Sequence, residues 1–454
     1  MTDDADSRTP VRTAAGGAGG AGGAGKGTGG GRLAVVTPWY PSLNRPFAGS
    51  FVRTMTAAVA DRFARIEVLH AEDWRRPADA VAARRIEQAF HRLAGPATAR
   101  VPIEPRLTPD GVWLTRVPAP IAPKRRYADW GLVHERALRA VLPTGRIEAD
   151  VVHGHVGTYG GWCAVRLARP GARVVVTEHA AFLDRVLTQD AALAMYDEVI
   201  ERADAFLCVS DALREQIIGY LPHHADRLKV LPNVIDFSGR ALRPEPVTEL
   251  RRLLYIGALN ERKGTAKLIR AFAELLAEGR DLTLTLVGPE EEPGAAAVLA
   301  AALGPQVAER LRVLPPVDPD QVPALLHAHD LLIHPSRWET FGMTVIEAVA
   351  AGTPVLATRC GGPEETLAGL EGVAGALIDV SDDPGVIAEG YRALAAQVGT
   401  LDLDRARAEL DSRYGPAAVG ARLAAEAYGL EDARGGIGAT ASGIHPQRAE
   451  VAGA

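Results

Sequence analysis

Two carboxylates, Glu339 and Glu347, stand eight positions apart in the stretch RWETFGMTVIEA, with Gly342 between them. An ionised carboxylate accepts hydrogen bonds and donates none, so beside an anion it must face hydroxyl groups rather than phosphate. The flanking residues supply the anion site. DLLIHP (330–335) reads as a strand, SRWETFG as the loop leaving its carboxyl end, and MTVIEAVAAG as a helix closed by Gly352, a residue suited to the left-handed position after a helix. Glu339 is then on the loop and Glu347 about one turn into the helix. Between them the N–H groups of Phe341, Gly342 and Met343 are free to point at an anion, and glycine lets that anion come close. A phosphate flanked by two sets of hydroxyls is what a nucleotide sugar offers. The same spacing also fits a plain loop glutamate and a solvated helix position, and spacing alone does not separate these readings.

The elements that must position these groups follow from hydropathy patterning. From residue 32, short β-branched runs alternate with stretches of helical period: LAVVT (33–37), IEVLH (66–70), VWLTRV (112–117), DVVHGH (150–155), RVVVT (173–177), AFLCVS (205–210) and LKVL (228–231). Helical candidates lie at 50–63, 130–141, 158–168 and 211–220. Strands apolar on both faces and joined by helices indicate a doubly wound parallel sheet. The segment SGRALRPEPVTEL (238–250) breaks the pattern, after which it restarts with RLLYIG (252–257), LTLTLVG (282–288), LRVL (311–314), DLLIHP, TPVLAT (353–358) and AGALIDV (374–380). The expected organisation is a disordered Gly/Ala-rich tail (1–31), a Rossmann-like domain (32–237), a second one (238–412), a helix within 413–430 packing back on the first, and a disordered tail (432–454). Two such domains facing each other make a cleft at the carboxyl ends of their strands, where ligands collect. His179 stands at such a strand end and so faces the cleft, although a lone strand-end histidine is more often structural; His155 ends the strand DVVHGH, where a cleft role and a structural one are equally open.

Composition excludes several classes. The 454-residue chain has a net charge of −6, so no global basic field suggests nucleic acid. Its three cysteines, Cys163, Cys208 and Cys360, have no C-x-x-C spacing, which argues against a disulfide scaffold or zinc site and for a reducing compartment. The N-terminus lacks an apolar signal region and no run of about 18 apolar residues occurs, so a cytoplasmic protein is expected. Within AAGGAGGAGGAGKGTGGG, Gly20 to Lys26 imitate a P-loop, but Gly27 takes the place of the metal-binding Ser or Thr and no strand precedes it. Residues 76–110 carry Ile86, Phe90 and Leu93 on one helical face and Arg84, Arg85 and Arg92 elsewhere. An ordinary surface helix is expected there, with weak peripheral membrane or acceptor contact as the other reading. KRRYADW (124–130) reads as a solvated loop.

The segment HPSRWETFGMTVIEAVAAGTPVLATRCGGPEETL (334–367) resembles the donor-binding core of the retaining glycosyltransferases of family four, which have the GT-B fold and an E-x7-E motif. The resemblance extends over most of 33–430, through VVTPWYPSLNRPFAGSFVR, VVTEH (175–179), VSDAL (209–213), LPNVIDF (231–237) and GALNERKG (257–264). It implies that Glu347 binds the ribose hydroxyls, that Glu339 holds the donor sugar and that Lys263, with Arg262 beside it, stabilises the leaving diphosphate. It also puts His179 near the transferred sugar, and Gly49 of PFAGSF on a loop approaching donor phosphate and acceptor. One departure stands out: where the family has Arg after the glycine of G-R-L, this chain has Ala258.

The resemblance therefore implies a glycosyltransferase using a nucleotide diphosphate sugar as co-substrate, with no cofactor and no metal. The D-x-D triplets Asp318–Asp320 and Asp402–Asp404 read as a turn with a cap and as helix surface. The acceptor is left open among a natural product, a lipid carrier and a small polyol. An epimerase or phosphorylase of the same fold, or an inactive sugar-nucleotide-binding relative, also fits the sequence.

Overall fold

The protein is described by a computed structural model over residues 30–41, 47–75, 103–121 and 126–430. The Gly-rich segment 1–29, the face of Ile86, Phe90 and Leu93, the start of KRRYADW and residues 432–454 lie outside the described residues, while the rest of KRRYADW, expected as a solvated loop, opens the helix Tyr127–Val141 with Tyr127 buried.

Two parallel sheets carry the chain. The first contains β1 (Arg32–Thr37), β2 (Arg65–Arg75), β3 (Arg106–Leu107), β4 (Trp113–Ile121), β5 (Val151–His155), β6 (Arg173–Glu178), β7 (Ala205–Cys208) and β8 (Leu228–Val230). Its spatial order is β3-β4-β2-β1-β5-β6-β7-β8. The second contains β9 (Arg252–Ile256), β10 (Thr283–Val287), β11 (Leu311–Leu314), β12 (Leu331–His334), β13 (Val355–Thr358) and β14 (Gly375–Ile378), in the order β11-β10-β9-β12-β13-β14. All pairings are parallel except the short β3 on β4. Strands such as β5, β7, β12 and β13 are buried along their whole length because helices cover both faces. Each fully buried Val or Leu in these layers contributes about 1.5–3 kcal/mol over leaving it exposed. The two Rossmann-like units expected from the alternating pattern are present.

Differences occur where polar residues interrupt that pattern. β2 and β4 pair on through Asp73↔Ala119 and Arg75↔Ile121, well past IEVLH and VWLTRV. Glu72, Asp73, Pro118 and Pro120 hide the extension, since neither apolar alternation nor strand propensity marks them. The helix expected at 158–168 starts only at Trp162, after a wide π-type turn at Val156–Gly161 in which Gly157 abuts the Tyr196 ring.

The chain crosses between the sheets twice. The linker after β8 meets the returning chain where Ile235 N–H donates to Tyr414 O at 2.9 Å. Gly415 and Pro416 end the helix Leu403–Tyr414 and start Pro416–Arg422. Beyond them Val419, Leu423, Ala427 and Tyr428 pack among Val52, Val59 and Phe63 behind the first sheet. Among the described residues no helix is long and apolar enough to cross a membrane.

Candidate active site

Loops leaving the carboxyl ends of β9, β12 and β13 interlock to form one wall of the cleft. The β9 loop ends at Gly264, whose φ of 72° starts the helix Thr265–Ala277 and whose missing Cβ leaves room for Pro335 O. Arg337 N–H donates to Arg262 O at 2.8 Å, tying the β9 loop to the β12 loop. Glu339 N–H donates to Cys360 O at 2.9 Å, and Glu339 O accepts from Gly362 N–H at 2.8 Å, tying the β12 loop to that of β13. With its backbone held on both sides, Glu339 places its side chain against Lys263.

Lys263 and Glu339 form an ion pair, each side chain only 14 % exposed. His334, at the end of β12, lies 3.4 Å from the same carboxylate oxygen. Burial raises the Glu339 carboxyl, but the Lys263 ammonium and the His334 imidazole outweigh it and hold the group well below the usual carboxylate range. Burial pushes His334 below its ordinary value, against the pull of Glu339. Arg262 Nη1 donates to Trp338 O at 2.9 Å, which keeps the guanidinium alongside this pair. Ala258 brings no cation to the loop, and its carbonyl accepts from the Tyr255 hydroxyl at 2.8 Å.

The helix Met343–Ala350 starts at Gly342, whose φ is 83°. Its opening N–H groups, with those of Phe341 and Gly342, are free of intrahelical partners as at any helix start. Phe341 anchors this turn by an edge contact to Tyr414, with ring centroids 5.3 Å apart. Glu347 does not join the Lys263–Glu339 cluster. Its Oε1 accepts from Arg240 Nη2 at 2.8 Å, and burial pushes its carboxyl upward against the opposing pull of that arginine.

The opposite wall comes from the first sheet. His179 follows β6, and the carboxylate that precedes it builds its turn: Glu178 is fully buried and accepts from His179 N–H and Ala180 N–H at 2.7 Å, from Gly157 N–H at 2.8 Å and from the Tyr196 hydroxyl at 2.6 Å. Burial raises the Glu178 carboxyl while these four donors resist. The His179 ring has Phe51 against it, centroids 4.5 Å apart, and its Nε2 is 2.9 Å from His155 Nδ1. Burial, helped by nearby His153 and opposed by the Asn233 side chain, pushes His179 down to about 3, so the ring is neutral near pH 7. His155 is wholly buried and supports His179 rather than facing the cleft. The walls meet where the Thr340 hydroxyl donates to His179 O at 3.2 Å. They meet again where Glu365 accepts from Asp211 N–H and Ala212 N–H at 2.8 and 2.6 Å, so that one unit caps the helix Asp211–Tyr220 of the other.

Gly49 precedes the helix Ser50–Ala57 with φ of 68°, and a Cβ there would run into Trp39 O. Gly49→Ala is expected to cost about 1–3 kcal/mol, read as a lower melting temperature. Gly219→Ala, at a site with open space around it and ordinary φ, should be neutral or stabilising by up to about 1 kcal/mol. Equal melting temperatures for the two variants would refute the close approach.

The first residue of each D-x-D triplet is a cap. Asp318 and Gln321 cap a short turn reciprocally, and Asp402 caps the helix Leu403–Tyr414 by accepting from Arg405 N–H at 2.9 Å. Among the described residues one trio, Asp197, His223 and His224, has donor atoms close enough to share an ion, and there both histidines already hydrogen-bond to Asp197 Oδ1. The sequence reading missed Arg240, Glu178, His334 and Glu365. His334 had a signal, being a strand-end histidine like His179, and Glu178 had its place between an apolar strand and that histidine. Arg240 and Glu365 had none.

The sequence matches two family models, one described as Glycosyl transferases group 1 over residues 243–399 and one as Glycosyltransferase Family 4 over residues 91–238. It is 31 % identical to a D-inositol 3-phosphate glycosyltransferase of Catenulispora acidiphila over 343 residues, 67 % of this chain and 78 % of that protein. It is also 31 % identical to one of Acidothermus cellulolyticus over 290 residues, 54 % of this chain and 62 % of that protein. The match thus spans less than two thirds of the second relative's length. In fold it is similar to Anabaena HepE in complex with UDP, at a TM-score of 0.60 and 17 % identity, covering 88 % of this chain and 100 % of that one. The sucrose-phosphate synthase of Thermosynechococcus elongatus is similar too, at a TM-score of 0.63 and 17 % identity, covering 86 % and 97 %.

Proposed function

Because the chain belongs to glycosyltransferase family four, we propose that it moves a sugar from a nucleotide diphosphate sugar to an acceptor hydroxyl, with retention of configuration and no metal ion. The observation that carries this reading is the convergence of Lys263, Glu339 and the helix start at Gly342 on one cleft wall, opposite His179 on the other. UDP occupies the Anabaena neighbour, which makes a uridine diphosphate sugar the first donor to test. The relatives' names make D-inositol 3-phosphate, a phosphorylated polyol, the first acceptor to test. Three buried free cysteines accord with a cytosolic setting.

In this reading Glu347 takes the ribose hydroxyls and the N–H groups of Phe341, Gly342 and Met343 take the diphosphate. Lys263 exchanges Glu339 for the phosphate, which frees Glu339 for the hydroxyls of the donor sugar. As the glycosidic bond breaks, its electron pair goes to the phosphate oxygen, where Lys263 with Arg262 beside it opposes the growing charge. The acceptor oxygen bonds to the anomeric carbon from the same face, and its proton passes to the departing phosphate oxygen. Neutral His179 hydrogen-bonds to the transferred sugar, and the Gly49 turn lets backbone approach donor phosphate and acceptor.

Incubation of the protein with nucleotide sugars and D-inositol 3-phosphate should yield a glycoside, at a rate that EDTA leaves unchanged. Glu347→Ala should weaken nucleotide affinity about 10–100-fold, the worth of one or two hydrogen bonds to a charged group. An epimer or a sugar phosphate as product would assign a different reaction to the same cleft. The reading fails if the wild-type protein binds no nucleotide.

A further inference from the structure

The linker between the two units is laced onto the helix that carries Glu347. Phe237 O accepts from Arg407 Nη2 at 2.7 Å, and Arg243 N–H donates to Ala351 O at 3.1 Å just past that helix. Asp236 accepts from Ser238 N–H and Oγ at 2.9 and 2.6 Å, which folds the linker into a tight turn. Out of that turn comes Arg240. Its Nη1 bonds to Asp236 O and its Nη2 to Glu347 Oε1 at 2.8 Å, the two side chains being 16 % and 18 % exposed. One guanidinium thus grips the linker backbone and one oxygen of the carboxylate.

We propose that Arg240 is the positioning residue of the ribose site: from the linker it orients Glu347, balances its charge and leaves the second carboxylate oxygen to the ribose hydroxyls. The proposal rests on the assignment of Glu347 above. A carboxylate this buried keeps its charge only with a partner, and Arg240 is the partner present. The helix MTVIEAVA offers no other charged residue. On the adjacent Leu403–Tyr414 helix, Arg407 is committed to Ala350 O and Phe237 O. Burial already pushes the Glu347 carboxyl up, and Arg240 is what opposes it. Without that guanidinium the group takes up a proton at a higher pH and can no longer accept from two hydroxyls at once. The same contact ties the nucleotide site to the segment through which the two units are joined.

The test measures dissociation constants for UDP, GDP and ADP between pH 6 and 9, carried forward with whichever nucleotide the wild-type protein binds most tightly. Taking the ratio of variant to wild type cancels the titration of the nucleotide's own phosphate. Arg240→Met should bind about 10-fold or more weakly near pH 6.5 and approach wild type near pH 9, because alkaline pH restores the carboxylate. Arg240→Lys, which keeps the charge, should hold a flat ratio across that range. Should the methionine variant fail to fold, Arg240→Gln removes the charge with a smaller change in packing. Unchanged or tighter binding by the uncharged variant, or weakening by the same factor at every pH, overturns the proposal. If the wild-type protein binds none of the three nucleotides, the ribose-site assignment falls and this inference with it.

Discussion

Lys263→Ala should lose turnover and stability together, and a second substitution should return the stability alone. Lys263 and Glu339 pair in a pocket that leaves each 14 % exposed. Deleting the ammonium leaves the carboxylate with His334 alone, an imidazole whose own charge burial opposes. Breaking a buried pair from one side costs about 3–5 kcal/mol. For a domain of this size that lowers the melting temperature by about 6–20 °C. In Lys263→Ala/Glu339→Gln the stranded charge is gone, and most of the lost stability should come back, since contacting residues are not additive. Activity should not come back: loss of a group facing the charge on a leaving oxygen costs about 10²–10³ in kcat. Thermal denaturation and initial rates on the four proteins of this cycle decide it. A single variant that melts with wild type would mean the pair is solvated, and a double variant that turns over normally would remove Lys263 from the chemistry.

Glu178→Ala should be the most damaging single change in the first unit, although the residue touches no substrate in the proposed reaction. Its carboxylate accepts from Gly157, His179, Ala180 and Tyr196 in a fully buried setting. Each buried donor left unpaired costs about 1–3 kcal/mol. Four of them approach the whole stability of a domain, about 5–15 kcal/mol. We therefore expect little or no folded Glu178→Ala protein. Glu178→Gln is close in shape, yet its NH2 end meets either the His179 and Ala180 N–H groups or, turned the other way, the Gly157 N–H, where only the Tyr196 hydroxyl can turn to accept. It should fold with a markedly lower melting temperature and a displaced His179 turn. Tyr196→Phe removes one donor and leaves the carboxylate three, so a loss of about 1 kcal/mol with the fold intact is expected. Soluble yield, melting temperature and near-UV circular dichroism check the series. A Glu178→Gln protein melting within about 2 °C of wild type would refute the account, because even 1 kcal/mol moves a domain of this size by that much.

Most of the architecture was legible before any coordinates. Continuous apolar runs between helical stretches predicted two parallel sheets, and the strand cores lie where the runs lie. The ends of β2 and β4 were not legible, because Glu72, Asp73, Pro118 and Pro120 extend strands by pairing with each other rather than by burying an apolar face. The two-residue β3 is exposed and carries no hydrophobic signal. Inside the site, the loop position of Glu339 and the helical position of Glu347 followed from strand-end chemistry, and the left-handed Gly352 from helix-end chemistry. His155 stayed open, since a strand-end histidine looks the same in sequence whether it faces a cleft or props a neighbour, and the fold puts it against His179.

What the sequence by itself determined, then, is what rests on local order: the cores of the strands with the loops and helices between them, the glycine that closes the Glu347 helix, and which residue types stand at the sheet's carboxyl edge. Local periodicity and turn chemistry suffice for that, because each involves residues a few positions apart. What only the tertiary structure decided is which charge meets which. Lys263 reaches Glu339 across 76 positions, Arg240 reaches Glu347 across 107, and Glu365 caps a helix some 154 positions away. The energy of an ion pair depends on separation and burial in space, and neither is a function of spacing along the chain. The chain order placed two glutamates eight apart on one loop and helix; the fold gave one of them to a lysine at the proposed reaction centre and the other to an arginine on the linker.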